Sequence, residues 1–147
     1  METEKYNNMD SIELNISAEP ENLSVARAVV RQAASITGVR ESETESVTLA
    51  LVEALTNVIR HSYDGPCKKP ININFSKINC HDNRSALEIT VRDHGKQVDP
   101  DSIKGRDLED IKPGGVGVHI IKTVMDHTEY NKAGDCGMQL RMLKYID

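Results

Sequence analysis

Three groups of polar or backbone-exposing residues sit where a folded chain has little structural use for them. Glu53, Asn57 and His61 recur at i, i+4 and i+8. On a helix that spacing puts a carboxylate, an amide and an imidazole on one stripe. The stripe runs beside the apolar one (Val47, Ala50, Leu51, Ala54 and Val58), at the edge of the core. A carboxylate placed there can take a proton, and an amide oxygen can hold a hard cation. Taken singly, each is ordinarily part of a solvated helix face. Asp93 continues the parity of Leu87, Ile89 and Val91, so it points to their buried face. A carboxylate in that position must be paired or hydrogen-bonded. Asp93-His94-Gly95 also reads as a turn cap, with a glycine that lets another group approach the backbone. The third group is Pro113-Gly114-Gly115-Val116-Gly117, at a helix start, where free N–H groups can meet an anion. Its plain alternative is a hinge. It is not a P-loop, because no Lys-Ser or Lys-Thr follows. It also lacks the third glycine and the preceding strand of a dinucleotide fingerprint.

The elements that must position these residues are legible in the spacing. Residues 12–16 alternate as a half-buried strand. Pro20 suits the first turn of a helix with Leu23, Ala26, Val30 and Ala33 inward, and Gly38 ends it. Ser42-Glu43-Thr44-Glu45 fits a capping box, which starts the helix that carries Glu53 and Asn57. Ile71, Ile73 and Phe75 alternate with polar residues, and His81-Asp82-Asn83 turns the chain into a strand with Leu87, Ile89 and Val91 on one face. Residues 94–115 have no clear period, and a loop of that length in one domain is usually functional. A helix follows Gly114-Gly115, then two closing strands, about 128–133 and 138–145. Hairpins demand antiparallel pairs, which excludes a doubly wound parallel sheet. The expected fold class is α+β: a two-layer sandwich whose mixed, mostly antiparallel sheet has helices on one face. The expected organisation is a tail over residues 1–11 and one domain over 12–146.

Composition narrows the function. The chain has 147 residues, the size of one ordinary domain. Aromatic residues are 3%, too few to stack bases along a single strand. Net charge is −5, the wrong sign for a polyanion-binding surface, so no direct nucleic-acid partner is expected. Cys67, Cys80 and Cys136 are scattered and odd in number, which reads as free thiols rather than a zinc site or a disulfide framework. The first fifteen residues have no apolar core for a signal peptide, and no apolar stretch nears the ~20 residues that span a bilayer. The expectation is a cytoplasmic protein with no membrane partner.

The three groups also occur in a particular order: Glu53-x3-Asn57 on a helix, Asp93-x-Gly95 at a strand end, Gly115-x-Gly117 at a helix start. That order resembles the N, G1 and G2 boxes of the GHKL ATP-binding superfamily, which has the Bergerat fold. The likeness is greatest to the bacterial anti-sigma factor serine/threonine kinases. LALVEALTNVIRHSY resembles their N box, EITVRDHGKQVDP their G1 box and KPGGVGVHIIKTVMD their G2 box. HTEYNKAGDCGMQLRMLKYI is similar to their final hairpin, so the resemblance runs from about residue 12 to 145. It implies ATP or ADP with Mg2+ as cofactors. Asn57 would hold the metal against the phosphates, and Glu53 would be the general base toward a substrate serine. Asp93 would accept from the adenine amino group, and Gly95 would let the base lie close. Gly115, Val116 and Gly117 would meet the phosphates. His61 falls where it could face a phosphate.

The resemblance makes residues 96–113 an ATP lid. Lys104, Arg106 and Lys112 are the lid cations that the resemblance brings within reach of the γ-phosphate, with Arg106 taken as a nucleotide-binding residue, and the lid acids Asp99, Asp101, Asp107, Glu109 and Asp110 should point away. Gln97 stands where the family often has a second glycine. The implied function is an ATP-dependent protein serine/threonine kinase that phosphorylates a STAS-domain anti-anti-sigma protein. A sigma factor is the second partner in such partner switching, and family relatives often form homodimers. The alternative from another class is a nucleotide-binding regulatory module with little or no kinase activity. An ATPase subunit of a larger machine fits less well, since no transducer domain is evident. A histidine kinase catalytic domain fits less well too, since no phosphoacceptor hairpin precedes residue 12.

Overall fold

The computed structural model describes residues 3–5, 11–103 and 116–146. In chain order the elements are β1 (Thr3–Lys5), β2 (Ile12–Ser17), α1 (Leu23–Thr37), α2 (Glu41–Asn57), β3 (Pro70–Cys80), β4 (Ser85–Arg92), α3 (Val116–Val124), β5 (His127–Lys132) and β6 (Met138–Tyr145). The strands form a six-stranded sheet in the order β1-β3-β4-β6-β5, with β2 also on β3. Each pairing is antiparallel. The expected α+β class is observed. Strand β1 lies in the stretch read from sequence as a tail. It pairs with Ile78–Cys80, beyond the segment of β3 that β2 occupies.

The helices cover one face of the sheet. Ile71, Ile73 and Phe75 of β3, Leu87, Ile89 and Val91 of β4, and Leu140 and Met142 of β6 pack with Ala26, Val30 and Ala33 of α1 and Val47, Leu51 and Leu55 of α2. Fully burying one such aliphatic side chain contributes about 1.5–3 kcal/mol. At Phe75 the strand begins to bury its other face as well. Ser76, Ile78 and Cys80 are buried, and Ile78 and Cys80 cluster with Ala86 and Leu143 away from the helices. The simple alternation read from the sequence therefore holds only through Phe75. On this second face Arg141 Nε donates to Glu88 Oε2 at 2.7 Å, with both side chains largely shielded from solvent.

Helix α1 follows a short 3-10 turn that Pro20 opens. It ends at Gly38, whose φ of 99° is left-handed and whose N–H bonds Ala34 O. The start of α2 corrects the sequence reading. Ser42 does not cap it: the helix begins at Glu41, with Arg40 at the N-cap and no side-chain cap. The Glu43 N–H bonds Arg40 O, which closes the first turn one residue early. Glu45, the expected capping partner, instead accepts from Arg31 of α1 at 2.9 Å and 3.1 Å. Helix α2 does not stop at Asn57 but widens into a π turn over Val58–Ser62.

Helix α3 is held at its C-terminal end by Lys144 of β6. The ammonium donates to Val124 O at 2.8 Å and lies 3.6 Å from Glu43 and 3.9 Å from Asp126. A cation there also complements the negative end of the helix dipole. Val118, Ile121 and Met125 are buried beneath the helix. The three cysteines are unpaired. Among the described residues, no helix is long and apolar enough to cross a membrane.

Candidate functional site

Helix α2 and its π extension carry Glu53, Asn57 and Ser62 in one continuous run. Glu53 and Asn57 lie one turn apart at the helix edge, partly buried. The first turn of α3 crosses them at Gly117. A Cβ on Gly117 would stand 2.7 Å from Glu53 Oε2, 3.4 Å from Asn57 Oδ1 and 3.6 Å from Asn57 Nδ2. The absent side chain is what allows this approach. The carboxylate and the amide thus meet the N-terminal end of α3, where helix N–H groups favour negative charge.

Asp93 stands at the end of β4 and is only 3% exposed. Its backbone continues the sheet for one more bond, Asp93 N–H to Met138 O at 3.0 Å. Its Oδ1 accepts from Gly95 N–H at 3.0 Å and Met138 N–H at 3.2 Å. Its Oδ2 accepts from Ser62 Oγ at 3.0 Å. The buried charge is therefore hydrogen-bonded, as its cost demands.

The segment 93–97 is clamped from two sides. The π turn closes on it from one side, where Lys96 N–H bonds Ser62 O at 3.2 Å. A Cβ on Gly95 would collide with Ser62 O, so the packing of the π turn alone requires glycine there. The β5–β6 turn closes from the other side. Gly137 has a φ of +81°, its N–H bonds Gly95 O at 2.8 Å, and a Cβ on it would collide with Asp93 O. Gln97 does structural work in this clamp: its amide donates to Gly134 O at 2.9 Å. Tyr63, next to Ser62, donates to Pro70 O at 2.6 Å and accepts from His94 N–H at 2.8 Å. Burial pushes its hydroxyl pKa up.

Glu53, Asn57 and Gly117 therefore meet at one end of α2, and the π turn that continues α2 reaches Asp93 and Gly95. His61 is not brought to them: its side chain is exposed. The α-helical register that aligned it with Glu53 and Asn57 ends at Asn57. Val116 opens α3. Gly114, Gly115, Lys104, Arg106 and Lys112 lie outside the described residues, as do Asp107, Glu109 and Asp110. Asp99 is exposed and caps the turn at Pro100–Ser102 through the Asp101 N–H at 3.0 Å. Ser62, Tyr63 and Gly137 were not identified from the sequence. A π turn leaves no periodic signal, though such turns are frequent at functional sites.

The donor set suits a nucleotide with its metal. Asp93 keeps acceptor capacity on Oδ2, which fits an amino group. Asn57 offers an amide oxygen, which suits Mg2+. The end of α3 beside them suits phosphate.

The family model for the histidine kinase-like ATPase domain matches residues 16–144. A protein of Oceanobacillus iheyensis named serine-protein kinase RsbW is 31% identical over 95% of this chain and 89% of its own. The Bacillus subtilis protein of that name is 29% identical over 96% and 89%, and that of Listeria innocua 30% over 94% and 88%. A crystal structure of the RsbU and RsbW domains of a Mycobacterium tuberculosis protein superposes with a TM-score of 0.61 at 16% identity. It covers 92% of this chain and 32% of that one, and shows the fold alone.

Proposed function

The chain belongs to the histidine kinase-like ATPase domain family, among the serine-protein kinases RsbW, and on that premise we propose that it is an ATP-dependent protein serine kinase. One observation carries the reading. Glu53 and Asn57 converge on Gly117 at the end of α3, while the same helix, through Ser62, holds Asp93. In this reading the base and the metal anchor lie on α2, and the π turn that continues it holds the amine acceptor at the end of β4.

Each residue then has a defined task. Asp93 Oδ2 accepts from the adenine amino group. The oxygen of Asn57 is the protein's ligand to Mg2+. Gly117 leaves room for the phosphates at the end of α3, which Val116 opens, and Gly115 and Val116 are assigned to the phosphates with it. Glu53 accepts the hydroxyl proton of the substrate serine as that oxygen attacks. Mg2+-ATP bound there would supply the phosphoryl group, with ADP as the leaving group, and the metal would offset the charge on the phosphates. Phosphoryl transfer of this kind depends mainly on positioning and charge stabilisation.

The substrate in this reading is a STAS-domain anti-anti-sigma protein, with a sigma factor as the alternate partner and a homodimer as the working form. The site of action is the cytoplasm. The test is to incubate the protein with labelled ATP, Mg2+ and the STAS protein encoded beside it. Label on a serine of the partner supports the kinase. Nucleotide binding with no transfer would make the protein a regulatory nucleotide-binding module instead.

A further inference from the structure

We propose that Ser62 is a specificity-determining residue that reads the second N–H of the adenine amino group, an inference that rests on the nucleotide-binding reading of the site. A carboxylate can only accept, so the Ser62 hydroxyl proton is committed to Asp93 Oδ2 at 3.0 Å. Each carboxylate oxygen has two lone pairs. Oδ1 is filled by the Gly95 and Met138 N–H groups. Oδ2, with Ser62 on one lone pair, keeps one free. Ser62 Oγ keeps both of its own, since nothing among the described residues donates to it.

Asp93 and Ser62 therefore present two acceptors 3.0 Å apart and no donor. An exocyclic amine carries two N–H groups and can give one to each. A ring carbonyl in the same place would face two acceptors and be repelled. Ser62 is also fixed in place. Its carbonyl accepts Lys96 N–H at 3.2 Å, and a Cβ on Gly95 would already lie 3.0 Å from Ser62 Cβ. The pair is thus a preorganised clamp for an amine. Ser62 touches the base in this account and takes no part in the transfer step.

The experiment compares ADP with N6-methyl-ADP, which keeps a single N–H, by calorimetry with Mg2+ on the parent and on Ser62→Ala. The substitution keeps the Cβ and the carbonyl that pack against Gly95 and Lys96, so the fold is retained. One neutral hydrogen bond corresponds to about a three- to tenfold change in affinity. The parent should prefer ADP by about that factor, and Ser62→Ala should bring the ratio near one, because a single acceptor needs a single N–H. An equal preference in both proteins, or equal weakening of both ligands in Ser62→Ala, would mean that Ser62 only braces the π turn and would overturn the proposal. A parent that binds neither ligand would instead defeat the nucleotide reading beneath it.

Discussion

Gly117 lies against Glu53 so closely that a methyl group on it would stand 2.7 Å from Oε2. The atom in the way is the far end of a flexible side chain, so the contact constrains where the carboxylate sits more than whether the protein folds. Gly117→Ala should therefore separate stability from chemistry. Alanine is the better helix former by up to about 1 kcal/mol, so the melting temperature should hold or rise. The carboxylate must move, so phosphoryl transfer should fall at least about tenfold, since misplacement of the order of 1 Å has large kinetic cost. Thermal melts and single-turnover labelling, run on the same sample, check both halves.

Asn57→Ala should remove the advantage that Mg2+ gives to nucleotide binding. Asn57 Oδ1 is the amide oxygen nearest Gly117. Calorimetry with ADP, with and without Mg2+, should show a metal enhancement in the parent and little in the variant. Equal enhancement in both would take Asn57 out of the site.

Asp93→Asn should weaken ADP binding by about 1.5–3 kcal/mol, or about tenfold to a hundredfold. The amide keeps one oxygen for the Gly95 and Met138 N–H groups, so the end of β4 stays intact. Its NH2 replaces Oδ2, the oxygen that accepts from Ser62. Titration of ADP alongside circular dichroism separates lost binding from lost fold.

The juxtaposition of Glu53 and Asn57 was legible because it sits on regular structure. Glu53 and Asn57 lie on an uninterrupted α-helix, where i and i+4 must share a face. Asp93 continues a strand parity that the structure preserves. His61 was misaligned because the same reasoning was extended into a π turn. Ser62 ends that turn and Tyr63 follows it, and both were missed because their partners Asp93 and His94 lie 31 residues away. The capping box failed because Ser42 and Glu45 satisfy a local rule while Arg31, on another helix, provides a competing partner for Glu45. The parity of β3 changes at Ser76 because the outer face has its own small cluster, which only the sheet order reveals. Gln97, a departure from the family pattern, has its partner in the β5–β6 turn.

Tyr130 provides a pH test of the closing hairpin. Burial raises its pKa from 10.0 to about 12. Its neutral form is the one the fold favours. The stabilisation is therefore complete below pH 10 and is lost as pH rises from about 10 toward 12, where the unfolded chain releases the proton first. Tyr130→Phe cannot ionise and should flatten that alkaline limb. Urea midpoints across pH 9 to about 12 check this, and parallel curves for the two proteins would show that Tyr130 does not carry the loss.

The most direct test of the kinase account is Glu53→Gln in single-turnover labelling of the STAS partner at saturating ATP. The glutamine fills nearly the same volume beside Gly117 and Asn57 but cannot accept the serine proton. ATP affinity should stay near the parent value, while transfer falls by about 100- to 10,000-fold, the usual contribution of a positioned general base. A variant that labels the partner within about tenfold of the parent rate would contradict the assignment of Glu53 as the base and leave the proposed chemistry without its proton acceptor.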